Sequence, residues 1–125
     1  MIDCRMTTRK KGHPPLSATA IEMVAARFRI LGEPLRIRII QALETGEKTV
    51  SQIVEAVGST QPNVSKHLRV LQEAGLVGRR QAGNTVYCFI ADPSVFDLCD
   101  LVCNSLSERV AAHAQLLAGT ARRRR

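Results

Sequence analysis

Two of the four cysteines, Cys99 and Cys103, are four residues apart in a stretch that is typical of a helix. On a helix this spacing places both thiols on one face, with their Cβ atoms about 5 to 6 Å apart. That separation suits two thiolates that bind one soft ion, whereas a relaxed disulfide needs Cβ atoms about 3.8 Å apart. The spacing therefore favours a metal or metalloid site over a disulfide within the helix.

Two thiolates leave an ion such as As(III), Sb(III), Cd(II), Pb(II) or Zn(II) incompletely coordinated, so a further donor is expected. Cys4 is the first candidate, because an N-terminal arm can cross a dimer to the partner's last helix. Cys88 is the second, although its strand neighbours favour packing. His113 is about three turns beyond Cys103, too far to share its ion within one helix. Inert packing is the alternative for the pair itself, since free cysteine is often buried.

The cysteine pair belongs to a last helix predicted over residues 92–118. Asp92 is a suitable N-cap and Pro93 a suitable first helical residue. Spacings of three and four residues, typical of a seam between packed helices, link Cys99, Cys103, Leu106, Val110, His113 and Leu117. The pattern predicts that this helix packs against another helix.

A second helix with two chemically different sides is predicted within residues 59–77. Val64, Leu68 and Leu71 form one apolar stripe. Thr60 can cap this helix, and Ala74-Gly75 can end it. The other side carries groups that reach base edges and phosphates, together with one acid: Gln61, Asn63, Ser65, Lys66, Arg69 and Glu73. This side is expected to contact nucleic acid.

The flanking segments predict a winged helix-turn-helix. Thr49 and Gln52 have capping-box spacing at the start of a preceding helix, which ends at Gly58. The two helices form a helix-turn-helix over residues 49–74, whose second helix would enter the major groove. A β-hairpin over residues 77–90 follows and carries Arg79 and Arg80, which are expected to contact phosphates.

The chain is predicted to hold one domain, over residues 17–118, between a flexible basic arm (1–16) and a basic tail (119–125). Two further helices precede the helix-turn-helix. The first, capped by Ser17, places Ile21, Val24, Phe28 and Leu31 on one face. The second contains Leu35, Ile39, Ile40 and Leu43 and ends at Gly46.

Charge supports nucleic-acid binding through its distribution and not through its total. The 125 residues carry a net charge of +7, with 18 basic and 11 acidic side chains. Eight of the basic residues and one acid lie in the terminal segments, so ten of each sign cancel between residues 12 and 121. Within residues 60–80, four cations face a single acid, Glu73, which concentrates positive charge on the predicted DNA face.

Other classes of protein have little support. No stretch approaches the ~18 apolar residues of a membrane span, so a cytoplasmic protein with reduced cysteines and no membrane partner is expected. The histidines are scattered, and no paired acid lies beside a nucleophile. The sequence therefore predicts neither an enzyme nor a small-molecule substrate.

Three blocks of the sequence resemble the ArsR/SmtB family of metal-sensing bacterial repressors. They are ILGEPLRIRIIQAL, TVSQIVEAVGSTQPNVSKHLRVLQEAGLV and RRQAGNTVYCFI. The resemblance implies a mainly α fold of about five helices and a two-stranded wing, which dimerises through its first and last helices. It also implies that Gln61, Asn63, Ser65 and Lys66 read double-stranded operator DNA, and that the homodimer needs no cofactor to bind it.

The function expected is a repressor released from its operator by a thiophilic ion at the last-helix cysteines. Residues 49–58 lack the CxC pair of one arsenic or cadmium branch, and Asp97, Asp100 and His113 do not complete the zinc or nickel pattern. Cys4 with last-helix cysteines is closer to the cadmium/lead sensors. A thiol redox or persulfide-responsive repressor is one alternative. The helix that contains Leu35, Ile39, Ile40 and Leu43 lacks the cysteine that such sensors carry in their second helix. A constitutive winged-helix regulator and a protein-interaction module are others.

Overall fold

The computed structural model describes residues 14–116, with side chains described as far as His113. Its elements in chain order are α1 (Ala18–Leu31), α2 (Pro34–Leu43), β1 (Lys48–Thr49), α3 (Val50–Val57), α4 (Gln61–Glu73), β2 (Val77–Ala82), β3 (Thr85–Ile90) and α5 (Ser94–Leu116). The strands form one antiparallel sheet in the order β1-β3-β2. The predicted winged helix-turn-helix is confirmed. The predicted arm, the tail and Leu117 of the seam lie outside the described residues or reach beyond them.

Short-range hydrogen bonds fix the ends of the two central helices. The Thr49 hydroxyl accepts from Gln52 N at 3.2 Å, and the Gln52 side chain accepts from Thr49 N at 2.9 Å, which completes the predicted capping box. The Thr60 hydroxyl accepts from Asn63 N at 3.3 Å and starts α4. Between these helices Gly58 has φ of 71°, a left-handed conformation that glycine adopts without strain. The turn therefore depends on residues within four positions of one another.

The core lies where α2, α3 and α4 meet the sheet. Its fully buried large side chains are Ile39, Ile40, Ile53, Val64, Leu71, Leu76 and Cys88. The apolar stripe predicted for α4 is buried throughout, with Val64 and Leu71 at 0% exposure and Leu68 at 3%. Burial of this stripe holds α4 against α2, α3 and β2, so its other side must face outward.

The sheet differs from the prediction in one respect. The wing was predicted with two strands, but β1 adds a third, in which Lys48 pairs with Cys88 and Thr49 with Tyr87. Two residues are too few to show an alternating pattern, and Thr49 already serves as the cap of α3. Because β1 leads directly into α3, this pairing attaches the wing to the first helix of the helix-turn-helix.

The last helix begins one residue later than predicted, at Ser94 instead of Pro93. The Asp92 carboxylate accepts from Ser94 N at 3.1 Å and from the Ser94 hydroxyl at 2.6 Å, while Pro93 lies in the turn before the helix. The difference concerns the boundary alone. Asp92 still accepts the hydrogen bond that begins the helix.

Two apolar faces remain uncovered by the chain itself. On α1, only Leu31 of the predicted face is buried, whereas Ile21, Val24 and Phe28 are 53%, 44% and 54% exposed. On α5, Leu106 and Val110 are 54% and 62% exposed. These large apolar side chains have the helical spacing of a packing face but no partner within residues 14–116. No helix in that range combines the length and apolar character that crossing a lipid bilayer requires.

Candidate nucleic-acid interface and thiol pair

The polar side of α4 is open to solvent along its whole length. All six side chains predicted to form it are exposed: Gln61, Asn63, Ser65, Lys66, Arg69 and Glu73. Within residues 14–116 neither Lys66 nor Arg69 forms a salt bridge, so both cations are available to phosphates. The fold brings these groups together on one convex surface, and their contact with DNA stays a prediction.

Asn63 is oriented by the turn before α4. Its side-chain amide donates to the Ser59 hydroxyl at 3.1 Å, while its backbone N–H donates to Thr60. A carboxamide can contact adenine with one donor and one acceptor at once. The bond to Ser59 holds the Asn63 carboxamide at the exposed N-terminal end of α4, where such a contact requires it.

His67 faces the interior. It is 8% exposed, the buried polar residue among the described side chains, and its Nδ1 has no hydrogen-bond partner there. The burial of His67 places its ring beside the core. It is therefore not part of the polar surface, although its neighbours Lys66 and Arg69 are.

The two wing arginines have different surroundings. Residues that pair directly across antiparallel strands share a face of the sheet, so Arg79 lies on the side of Cys88 and Arg80 on the side of Tyr87. Arg79 is exposed and forms no ion pair within residues 14–116. Arg80 forms an ion pair with Glu47 at 2.6 Å, and its guanidinium lies 5.0 Å from the centre of the Tyr87 ring.

The Cys99–Cys103 pair lies where the core ends and the open face of α5 begins. Cys99 is half-buried and packs against the core, and Cys103 is exposed. Burial raises the pKa of the Cys99 thiol, and the negative charges of Asp100, Cys103 and Glu44 raise it further. These surroundings disfavour a bare thiolate and favour the approach of a cation.

The other two cysteines have separate situations. Cys88 is 1% exposed, within the core. Burial raises the pKa of its thiol, against the opposing effect of the Arg79 charge. This burial favours the packing interpretation of Cys88. Cys4, the predicted third donor, lies outside the described residues.

The described residues of one protomer do not form a complete metal site. Among residues 14–116, no three side chains of histidine, cysteine, aspartate or glutamate come together in a way that could hold an ion. A site built on Cys99 and Cys103 therefore needs a donor from elsewhere, either another segment of the chain or a second copy. This requirement agrees with the prediction that two thiolates alone are insufficient.

Three long-range contacts of the described residues are not indicated by the sequence. Glu47 binds Arg80 across 33 positions. Arg27 of α1 donates to the carbonyl of Ala74 at the end of α4, at 3.2 Å, and lies 3.9 Å from the Asp92 carboxylate before α5. Their long separations in the chain leave no periodic or motif signal, so only the fold reveals these three contacts.

Comparison with known proteins places this geometry in a defined class. The model of the family described as "Bacterial regulatory protein, arsR family" matches residues 33–78, which contain α2, α3 and α4. A probable mercury resistance operon repressor of Streptomyces lividans is 35% identical over 91 residues, which cover 73% of this chain and 73% of that protein.

Solved structures have the same architecture. The crystal structure of Rv0081 from Mycobacterium tuberculosis superimposes with a TM-score of 0.72 at 29% identity, covering 78% of this chain and 99% of that one. The homodimeric winged helix-turn-helix DNA-binding domain of a possible ArsR-family regulator from Mycobacterium bovis gives 0.66 at 31% identity, covering 78% and 90%. The fold and the exposed helix define a winged helix-turn-helix regulator.

The chain belongs to the ArsR family of bacterial regulatory proteins. It is a DNA-binding transcriptional regulator and not an enzyme, as the sequence predicted.

Proposed function

We propose that this protein is a homodimeric repressor whose two α4 helices bind adjacent major grooves of an operator, and which a thiophilic ion releases. The observation that carries the DNA-binding part is the division of α4 into a buried apolar stripe and an open polar side. Gln61, Asn63, Ser65 and Lys66 read bases or nearby phosphates, and Arg69, Arg79 and Arg80 contact the DNA backbone.

Dimerisation rests on the uncovered faces of α1 and α5. Large apolar side chains at 44% to 62% exposure, repeated at helical spacing on two helices, are costly to leave in water. A second copy covers both faces at once. The twofold axis of the dimer then relates the two α4 helices in the same way as the two halves of a palindromic site. The homodimeric domain from Mycobacterium bovis supports this arrangement.

Ion sensing rests on the position of the thiol pair. Cys99 and Cys103 lie on the helix whose apolar face is left for the partner, with one thiol against the core and the other in the open. An ion bound there joins the core of a protomer to the proposed dimer seam. It can therefore favour a dimer geometry that fits DNA less well. The mercury-resistance relative supports a soft inducer, which we take to be As(III), Sb(III), Cd(II), Pb(II) or Zn(II).

A redox or persulfide sensor is the second candidate, and one observation weighs against it. Reactive cysteines have a lowered thiol pKa, whereas the pKa values of Cys88 and Cys99 are both raised. A cation at the pair offsets the negative charges of Asp100 and Glu44, which an oxidant does not. A raised pKa also opposes the thiolates that a metal needs, so the distinction rests on the charge of the ion and not on the thiol pKa alone.

Anisotropy titration of a labelled operator provides the test, with the operator selected by the protein from a pool of randomised duplexes. Reduced, chelator-treated protein should bind this duplex tightly. Addition of CdCl2 or arsenite should weaken binding by roughly 5- to 150-fold, a coupling of about 1 to 3 kcal/mol. The Cys99→Ser, Cys103→Ser double variant should bind the operator equally well but keep its affinity in the presence of the ion.

Control variants separate the parts of the proposal. Ser105→Ala, on the same helix, should respond to the ion like the wild type, and Cys4→Ser should lose the response if Cys4 supplies the third donor. Release that persists in the double variant would exclude the pair as the sensor. Loss of operator affinity on oxidation with diamide, in the absence of any metal effect, would favour the redox candidate.

A further inference from the structure

The sheet carries a polar cluster on the face that points away from Cys88. Thr49, Tyr87 and Arg80 form one row across β1, β3 and β2, because Tyr87 pairs with both neighbours. Glu47 directly precedes β1. The guanidinium of Arg80 covers the Tyr87 ring and reaches the Glu47 carboxylate, so three side chains distant in sequence occupy one site.

The bond between Arg80 and Glu47 is a two-point contact. Arg80 Nε donates to one carboxylate oxygen at 3.1 Å, and a terminal guanidinium nitrogen donates to the other at 2.6 Å. This is the fork geometry in which arginine binds carboxylates, and arginine binds a phosphate in the same way. Glu47 therefore occupies two of the five guanidinium N–H donors, on the edge through which Arg80 would bind a DNA phosphate at two points.

The contact is also easily exchanged. The Arg80 and Glu47 side chains are 50% and 39% exposed, and ion pairs open to water are weak and screened by salt. A phosphate in a DNA backbone belongs to a dense array of negative charges, whereas Glu47 is a single carboxylate. A phosphate of DNA close to the wing can thus replace Glu47 as the partner of Arg80.

Arg80 differs in this respect from the other cations of the interface. Within residues 14–116, Lys66, Arg69 and Arg79 form no salt bridge, and Arg80 does. The first three need no rearrangement before they meet a phosphate. Arg80 must first leave its partner.

We propose that Glu47 is an intramolecular competitor of DNA, which holds Arg80 in the free protein and yields it to a backbone phosphate in the complex. The inference rests on the proposed contact between the wing and DNA. When Arg80 moves to a phosphate, the DNA releases a counterion, but the freed Glu47 carboxylate attracts one. Arg80 thus adds less to the salt dependence of binding than an unpaired arginine.

A four-protein cycle tests the proposal with a labelled duplex of random sequence in KCl: wild type, Glu47→Gln, Arg80→Gln and the double variant. Glu47→Gln should bind about fivefold more tightly at low salt. Its plot of log affinity against log salt should be steeper than that of the wild type, by no more than about one counterion per protomer. In the Arg80→Gln background the same change at Glu47 should have no effect on affinity or slope. Glu55→Gln, which removes another exposed acid, is the matched control.

Each other outcome overturns the proposal. If Glu47→Gln strengthened DNA binding equally in the wild-type and Arg80→Gln backgrounds, Glu47 would act by general repulsion of DNA. Weaker binding of the duplex by Glu47→Gln would mean that Glu47 stabilises the wing. Unchanged binding would mean that Glu47 has no role in DNA affinity. A wild-type protein that fails to bind any duplex would refute the proposed function as well, whereas normal wild-type binding with no change in Glu47→Gln would refute the competition alone.

Discussion

Helices α4 and α5 both carry an apolar stripe, but the two stripes differ in burial. The stripe of α4 is buried within its own protomer, with Val64 and Leu71 at 0% exposure. The stripe of α5 is largely open, with Leu106 at 54% and Val110 at 62%. Within residues 14–116 the stripe of α4 is therefore fully covered, whereas the stripe of α5 is not.

This difference separates two tasks within one small domain. The orientation of α4 is fixed by core contacts within the protomer, so its polar side is held outward. The thiol pair lies on α5, whose apolar stripe is uncovered within residues 14–116. In the proposed function, an ion bound there would change the geometry of the dimer and not α4 itself, so DNA affinity would change while the polar side of α4 stays intact.

The largest expected effect comes from a charge placed in the open stripe of α5. Leu106→Glu should abolish dimerisation, because each dimer would bury two like charges in an apolar seam. Operator affinity should then fall by about 100-fold or more, since two half-sites are no longer bound together. Sedimentation velocity and operator titration measure the two effects.

Asn104→Glu provides the matched control for this change. Asn104 is exposed and lies about half a turn from Leu106 around α5, on the side away from the seam. The same charge there should leave both the dimer and operator affinity intact. A Leu106→Glu protein that remains dimeric would show that another surface forms the interface.

A truncation within the α4 stripe should behave in the opposite way. Leu71→Ala leaves a cavity in a close-packed core and should lower the free energy of unfolding by about 2 to 5 kcal/mol. Because Leu71 packs inside the protomer, this loss should be the same at every protein concentration in urea unfolding. The loss caused by Leu106→Glu should instead be largest where the wild type is dimeric. If the loss in free energy of unfolding caused by Leu71→Ala depended on protein concentration, the α4 stripe would not differ from the α5 stripe in the way described.

The contrast between these helices also decides how much could be predicted from the sequence. The α4 stripe, the Thr49–Gln52 capping box and the Gly58 turn involve residues within about two helical turns, so their spacing in the sequence was informative. Strand β1 and the Glu47–Arg80 pair join residues some 33 to 40 positions apart, and nothing local indicates them. The thiol pair was visible in the sequence, and Cys4 and Cys88 were candidates for a third donor. The described residues of one protomer bring no third donor to the pair.

The reading surface itself should separate specificity from general affinity. Asn63→Ala removes a group that can bind adenine at two points and should reduce discrimination between operator and random duplex by about 1 to 3 kcal/mol. Gln61→Ala should act in the same direction. Arg79→Ala should weaken binding to both duplexes alike and lower the salt slope by about one per protomer. Parallel titrations of the two duplexes distinguish these results, and equal losses for all three variants would contradict the assignment.

The smallest effect is expected at the junction between the wing and α5. Hydrogen bonds from the Ser94 hydroxyl and N–H lower the pKa of Asp92, and the Arg27 charge lowers it slightly further. The carboxylate therefore stabilises the fold at pH values above its unfolded pKa of about 3.9, and this contribution is lost as the pH falls through the lower folded value.

Thermal unfolding of Asp92→Asn tests this junction. The variant should be slightly less stable than the wild type at neutral pH, and the difference should narrow as the pH falls from about 6 towards 3. Asp97→Asn, in the first turn of α5, is the control, since the Asp97 carboxylate accepts no hydrogen bond within residues 14–116. Because Arg27 also bonds the end of α4, a fall in operator affinity of Asp92→Asn without loss of dimer would indicate that α4 and α5 communicate within one protomer. The description of α4 and α5 as independent elements within one protomer would then be wrong.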